Sequence, residues 1–140
     1  MSVKNNPNFD NQLKEEIKKG LDRAAIIFQN EVKQKLSENT SPSSAGKSPG
    51  VKTGALRRSI QIDRSQINKL RIRVGTNLVY AKIQEYGGII SAKKSKFLRF
   101  LVGGKFISKK TVNLPARPYF RPALKNVFNK MKKELSKFTK

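Results

Sequence analysis

Leu114-Pro115-Ala116-Arg117-Pro118-Tyr119-Phe120-Arg121-Pro122 is the stretch on which the fold of this 140-residue chain turns. Three prolines and two arginines bracket two aromatic rings, just ahead of a strongly helical C-terminus. Each proline fixes its own φ and lacks a backbone donor. Each also biases the residue before it away from the α region. The segment is therefore expected to be a stiff, extended connector. It aims Tyr119 and Phe120 in a set direction and turns the chain from extended structure into a last helix.

That last helix is predicted from Arg121 to about Phe138, with Leu124, Val127, Phe128, Met131, Leu135 and Phe138 on one face. Lys130, Lys132, Lys133 and Lys137 crowd its end, where the helix dipole favours cations. Upstream, Phe97–Val102 is strongly β-prone. Gly103-Gly104 is a hairpin-type turn, and Lys105–Ile107 pairs back. Thr111–Leu114 gives a further short strand. Ser59–Asp63 and Leu70–Val74 each alternate apolar with polar residues, the period of a half-buried strand, and the Ser65–Lys69 region turns between them. Arg71 and Arg73 share the face opposite Ile72 and Val74. Val79–Tyr86 reads as a short helix, lined by Val79, Ile83 and Tyr86 and stopped by Gly87-Gly88.

At the other end, Leu13, Ile17, Leu21, Ala24, Phe28, Val32 and Leu36 fall at the spacing of one helical face. Asp10 serves as N-cap, and the helix is expected to reach about Glu38. Such a helix is roughly 40 Å long, enough for part of its face to meet another subunit. Thr53 is the expected cap of a short helix over 54–59. The predicted fold class is α+β: a small antiparallel sheet of three to five strands, packed by a long N-terminal and a C-terminal helix, with one short helix near 79–86. Residues 1–140 make a single domain, with a frayed stretch at 1–9 and a mobile Ser/Pro/Gly loop at 39–52.

Composition removes several function classes. Cysteine and histidine are both absent, so there is no disulfide framework, no thiolate site and no imidazole base or ligand. No apolar run approaches the ~20 residues that span a bilayer. The N-terminus lacks a signal-peptide pattern, so a cytoplasm-like compartment is expected. The net charge is +22, and it is uneven. Residues 1–40 carry seven Lys/Arg against six acids, and the remainder carries twenty-four against three: Asp63, Glu85 and Glu134. Such an excess calls for a polyanion, an acidic protein surface or counterions, although lysine-rich composition also arises as background.

Catalytic patterns are weak. Gly46-Lys47-Ser48 resembles the end of a phosphate-binding loop, but Ser41 stands where that pattern needs its first glycine. Three scattered acids do not make a metal-dependent nuclease site. A metal-free ribonuclease of the toxin type would have to use Glu85 with Arg57, Arg58 or Arg117. A lone acid in a basic domain is more often a structural ion-pair partner, and Glu85 with Arg117 is the expected pair. No catalytic, cofactor or metal residues are assigned.

Three ordered stretches carry a resemblance. They are Thr53-Gly54-Ala55-Leu56-Arg57-Arg58-Ser59-Ile60, then Val74-Gly75-Thr76 with Tyr80–Gly87, then Leu114–Leu124. From about Thr53 to Leu124 the chain resembles a tailed-bacteriophage family of tail components, also described as minor tail, tail-completion or head–tail joining proteins. A related virion-morphogenesis family shares much of the pattern. The resemblance implies a structural, non-catalytic protein of the neck or upper tail, found in the virion and in the host cytoplasm during assembly. Implied partners are copies of itself in a ring, other neck or tail proteins, and DNA passing through the joint. No membrane, cofactor or small-molecule substrate is implied. It also implies that Tyr80, Ile83 and Tyr86 pack their helix on the sheet and that Gly87 takes positive φ. The basic segment Ser91–Lys110 is longer than a minimal member would need.

Candidate subunit contacts are Leu13, Ile17, Phe28, Pro118, Tyr119 and Phe120. Candidate polyanion-facing residues are Arg71, Arg73, Lys93, Lys94, Lys96 and Arg99. A free-standing basic nucleic-acid-binding protein is the alternative function, and a toxin-like ribonuclease the third.

Overall fold

The computed structural model describes residues 7–39 and 45–137. Helix α1 runs Pro7–Lys35. It begins three residues before the expected Asp10, since a proline at the first helical position needs no donor. At 29 residues it is about 43 Å long. Helix α2 is Ala55–Arg58, entered through Gly54 at φ 69. Strand β1 (Gln61–Asp63) pairs antiparallel with β2 (Arg73–Gly75), Ile62 facing Val74. A 3-10 turn at Ile67–Lys69 links them. Helix α3 is Ala81–Tyr86.

Four more strands follow. β3 (Gly88–Ser91) pairs with β6 (Thr111–Leu114), and β4 (Leu98–Val102) pairs with β5 (Lys105–Lys109). The Gly103-Gly104 turn takes φ 56 and 79, the positive values that a two-residue hairpin loop requires. Helix α4, Phe120–Lys137, closes the fold. The α+β class and the two long helices agree with expectation. The strands, however, form three two-stranded ladders rather than one sheet of three to five. Between β3–β6 and β4–β5 the reason lies in the register. Ser91 faces Thr111 and Leu98 faces Lys109, so six residues on one side oppose only Lys110 on the other, and the ladder breaks there.

α1 packs on α4, and β1, β2 and α2 lean on α1. The core is Val32, Leu36, Ile60, Tyr119 and Ala123, with Phe28, Leu56, Val74 and Phe120 packed against it. Gln29 Nε2 donates to Ile60 O at 2.7 Å, which fixes β1 across α1. Burying one such aliphatic side chain contributes about 1.5–3 kcal/mol. The apolar periodicity of α1 is thus used in two ways. Its C-terminal half is core, while Phe9, Leu13 and Ile17 remain exposed.

The expected frayed stretch and mobile loop fall partly outside the described residues, at 1–6 and 40–44. The described remainder of the loop is anchored. Val51 N donates to Asn39 O at 3.0 Å, and Gly46 N to Ala116 O at 2.9 Å. Asn39 Nδ2 donates to the hydroxyl of buried Ser48 at 2.6 Å. Phe138 also lies outside the described residues. No described helix is long and apolar enough to cross a membrane.

Candidate functional site

The end of α3 and the proline connector form one joint. Gly87 takes φ 68, as expected. A Cβ there would lie 2.6 Å from Ala116 N and 2.8 Å from Leu114 O. The connector therefore crosses α3 at a distance only glycine permits. Arg117 donates its backbone N–H to Gln84 O at 2.7 Å, which holds the connector on the helix.

Two residues before Gly87, Glu85 points into the start of α4. Its Oε2 accepts the Tyr119 and Phe120 N–H groups at 2.8 and 2.9 Å. Its Oε1 accepts the Arg121 N–H at 3.0 Å and Arg121 Nε at 3.1 Å. The first amides of a helix have no intrahelical acceptor. Here three of them are satisfied by one carboxylate, Pro122 has no N–H to satisfy, and Ala123 N reaches Tyr119 O. The expected ion pair of Glu85 was with Arg117. The salt bridge formed is with Arg121, because the carboxylate is drawn to the positive end of α4 and to its N–H groups.

Burial pushes the Glu85 carboxyl up in pKa. The three backbone donors and the Arg121 guanidinium outweigh that, so it lies below its ordinary value of 4.5. Burial, with the nearby Glu85 charge second, pushes the Tyr119 hydroxyl up to about 12. With both oxygens committed to α4, Glu85 acts as a helix cap and interhelical latch.

α3 also differs in detail from expectation. It starts at Ala81 rather than Val79, and Val79 is 96 % exposed. Ala81 and Glu85 are its buried residues, whereas Tyr80 and Tyr86 stay largely exposed. Tyr86 instead lies under the Arg121 guanidinium, 4.7 Å from ring centroid to Cζ.

The candidate contact residues separate into two groups. Tyr119 is 2 % exposed and lies in the core, so the connector aims this ring inward and it presents nothing to a partner. Phe28 and Phe120 meet edge to face at 4.9 Å and are partly buried. Pro118 is half-buried. Leu13 and Ile17 are exposed, and Phe9 extends their row by one turn. This row runs into an open apolar groove of about 410 Å³ between α1, β2 and α4, lined among others by Leu21, Phe28, Ile72 and Phe128.

Arg71, Arg73, Lys93, Lys94, Lys96 and Arg99 are all exposed. They divide between two ladders: the first pair lies at β2, the other four at the 92–97 excursion and β4. The segment 88–114 holds seven basic residues, Lys93, Lys94, Lys96, Arg99, Lys105, Lys109 and Lys110, and no acid.

Glu31 was not singled out from sequence. The acids of α1 read as part of a solvated, lysine-alternating face, yet Glu31 is 8 % exposed. Its Oε2 accepts Lys130 Nζ at 2.7 Å and its Oε1 accepts Asn126 Nδ2 at 2.9 Å. The available signal was its place beside Val32 and three residues after Phe28 on the apolar face. The hydrogen bonds from Lys130 and Asn126 hold its carboxyl below the ordinary value. Among the described residues, no group of three or more acidic side chains could hold a metal ion.

The family described as "Bacteriophage HK97-gp10, putative tail-component" matches residues 8–87, more than half of the chain. The match spans α1 to the Gly87 turn. It takes in the first two of the three motif stretches and ends before β3, so Leu114–Leu124 lies outside it. No curated protein and no solved structure matches the chain.

Proposed function

We propose, since the chain belongs to the bacteriophage HK97-gp10 tail-component family, that it is the subunit of a ring that completes the tail and joins it to the head. Membership itself means a structural component of the phage tail that works among other virion proteins. The neck position, the ring and the joining role are our reading.

The observation that carries it is the exposed half of α1. Phe9, Leu13 and Ile17 are 60, 49 and 39 % exposed and occupy one helical face. A lone exposed leucine needs no explanation, but a row of large apolar residues rimmed by charge marks a protein–protein contact. A contact between two different patches of identical subunits generates a ring when the rotation closes. In such a ring, the exposed basic side chains of β2 and of the 92–99 region would face passing DNA or an acidic neighbour.

Deleting the gene from its phage and imaging the lysate tests this role. Separate heads and tails are expected, with joining restored by the gene in trans. Fully joined, infectious particles from the deletion would contradict it.

A further inference from the structure

Residues 88–114 form one long, interrupted hairpin arm. β3 pairs with β6 at its base and β4 with β5 at its tip. These ladders pack within themselves, whereas α1, α2, α4, β1 and β2 pack on one another. None of the residues 88–114 is buried. The core cluster and the side chains packed against it all belong to the body, residues 7–39, 45–87 and 115–137.

The arm has little to hold it together. Register sets Phe100 opposite Ile107 and Ile90 opposite Val112, and all four are only half-buried. Leu101 and Phe106 are also partners, 59 and 82 % exposed. The ladder is interrupted where 92–97 opposes Lys110. A two-stranded hairpin with so little cover is marginally stable in water. Seven basic residues and no acid add repulsion along it.

The chain is closed beneath the arm. Gly87 N donates to Ile83 O at 2.8 Å where the arm leaves α3, and Arg117 N donates to Gln84 O at 2.7 Å where it returns. Ala116 O accepts Gly46 N from the anchored loop. The Glu85 cap then fixes the start of α4. Gly88 pairs with Leu114, so the two legs stand side by side as they leave this clamp. The bonds that tie α3 to the connector and to α4 thus lie outside the arm. The family-matched residues end at the same point, Gly87.

We propose that residues 88–114 open and re-form as a cooperative unit of their own, and that the clamp at Gly87 and Arg117 insulates the body from them. Local units of this kind open at free energies well below that of the whole fold. The inference does not rest on the assembly role and holds for the isolated chain. An arm decoupled in this way can adjust to a neighbour without loosening the fold that carries it.

Hydrogen exchange of the full-length chain, read peptide by peptide in a mass spectrometer, tests this. The amides of the arm's ladders are expected to exchange at least about tenfold faster than the slowest amides of α1 and α4. Two full-length variants distinguish a separate unit from a loose surface. Phe100→Asp is expected to abolish protection in both ladders of the arm and leave exchange in α1 and α4 unchanged. Ile60→Val, in the core of the body, is expected to speed exchange in α1 and α4 by roughly threefold or more and leave the arm's rates unchanged. Arm amides as slow as those of α1 and α4 overturn the proposal, and so does an arm with no protection even in the unmodified chain. It is equally overturned by a Phe100→Asp chain that loses protection in β4–β5 alone or in the body as well, and by an Ile60→Val chain whose arm speeds up with its body.

Discussion

Glu85 and Arg121 are joined twice through one oxygen: Glu85 Oε1 accepts the Arg121 backbone N–H at 3.0 Å and its Nε at 3.1 Å. The two contacts differ in weight. The carboxylate is nearly buried, whereas the Arg121 side chain is 58 % exposed. Solvent therefore screens the ion pair, and the helix-capping bonds do most of the holding.

Glu85→Ala should accordingly destabilise the fold by about 2–4 kcal/mol, since it strands three N–H groups at the start of α4. Arg121→Ala should cost under about 1 kcal/mol, because its charge is mostly in water. Urea denaturation of the two variants measures the difference. Equal losses would mean that the salt bridge, not the cap, is the latch.

Acid should loosen the same joint. Glu85 and Glu31 both have folded-state pKa values below the ordinary 4.5. Between the folded and unfolded values the unfolded chain binds more protons, so stability falls as pH falls. The contribution is complete above 4.5 and is lost as pH drops through the lowered values. Denaturation midpoints measured against pH should decline below that point, and Glu85→Gln should make the decline shallower. An unchanged slope in that variant would contradict the assignment.

Gly87→Ala should be among the most damaging single substitutions, costing at least about 3 kcal/mol. It adds a Cβ at 2.6 Å from one backbone atom and 2.8 Å from another, at a φ that alanine disfavours. Neither backbone atom can swing aside as a side chain would. Gly20 has nothing within 4 Å of its would-be Cβ, and Gly20→Ala should stabilise α1 by about 1 kcal/mol. Thermal melts of the pair check the contrast, and similar melting temperatures would refute it.

Much of this was readable from residue pattern alone, and the failures have physical causes. The connector, the Gly87 stop, the Gly103-Gly104 turn and both long helices follow from local preferences of proline, glycine and apolar spacing. Local preference does not say where a side chain finds its partner. Tyr119 was a candidate subunit contact and lies in the core instead, because a stiff segment fixes a direction without revealing which side the core occupies. Glu85 was expected to choose Arg117, because charge pairing is visible in sequence and a helix N-terminus in space is not. Glu31 was hidden for the same reason, its partners lying 95 and 99 residues away. The split of the 88–114 strands into two ladders comes from the excess of residues at 92–97, which periodicity does not register.

Basic side chains at β2 and in the 92–99 region should give the protein affinity for duplex DNA that falls steeply with salt. Each phosphate neutralised should contribute a log–log slope near about −0.9. Replacing Lys93, Lys94 and Lys96 by glutamine should reduce the slope. Fluorescence anisotropy across a salt series reads it out, and a slope unchanged in the variant would place the DNA contact elsewhere.

The central claim is a ring at the junction of head and tail, and gold labelling tests it most directly. Phage complemented with a C-terminally tagged copy is purified, labelled and imaged by electron microscopy. The account predicts gold confined to the head–tail junction, with several copies per particle. Particles without label, or with label distributed along the tail tube or at the distal tip, would contradict it.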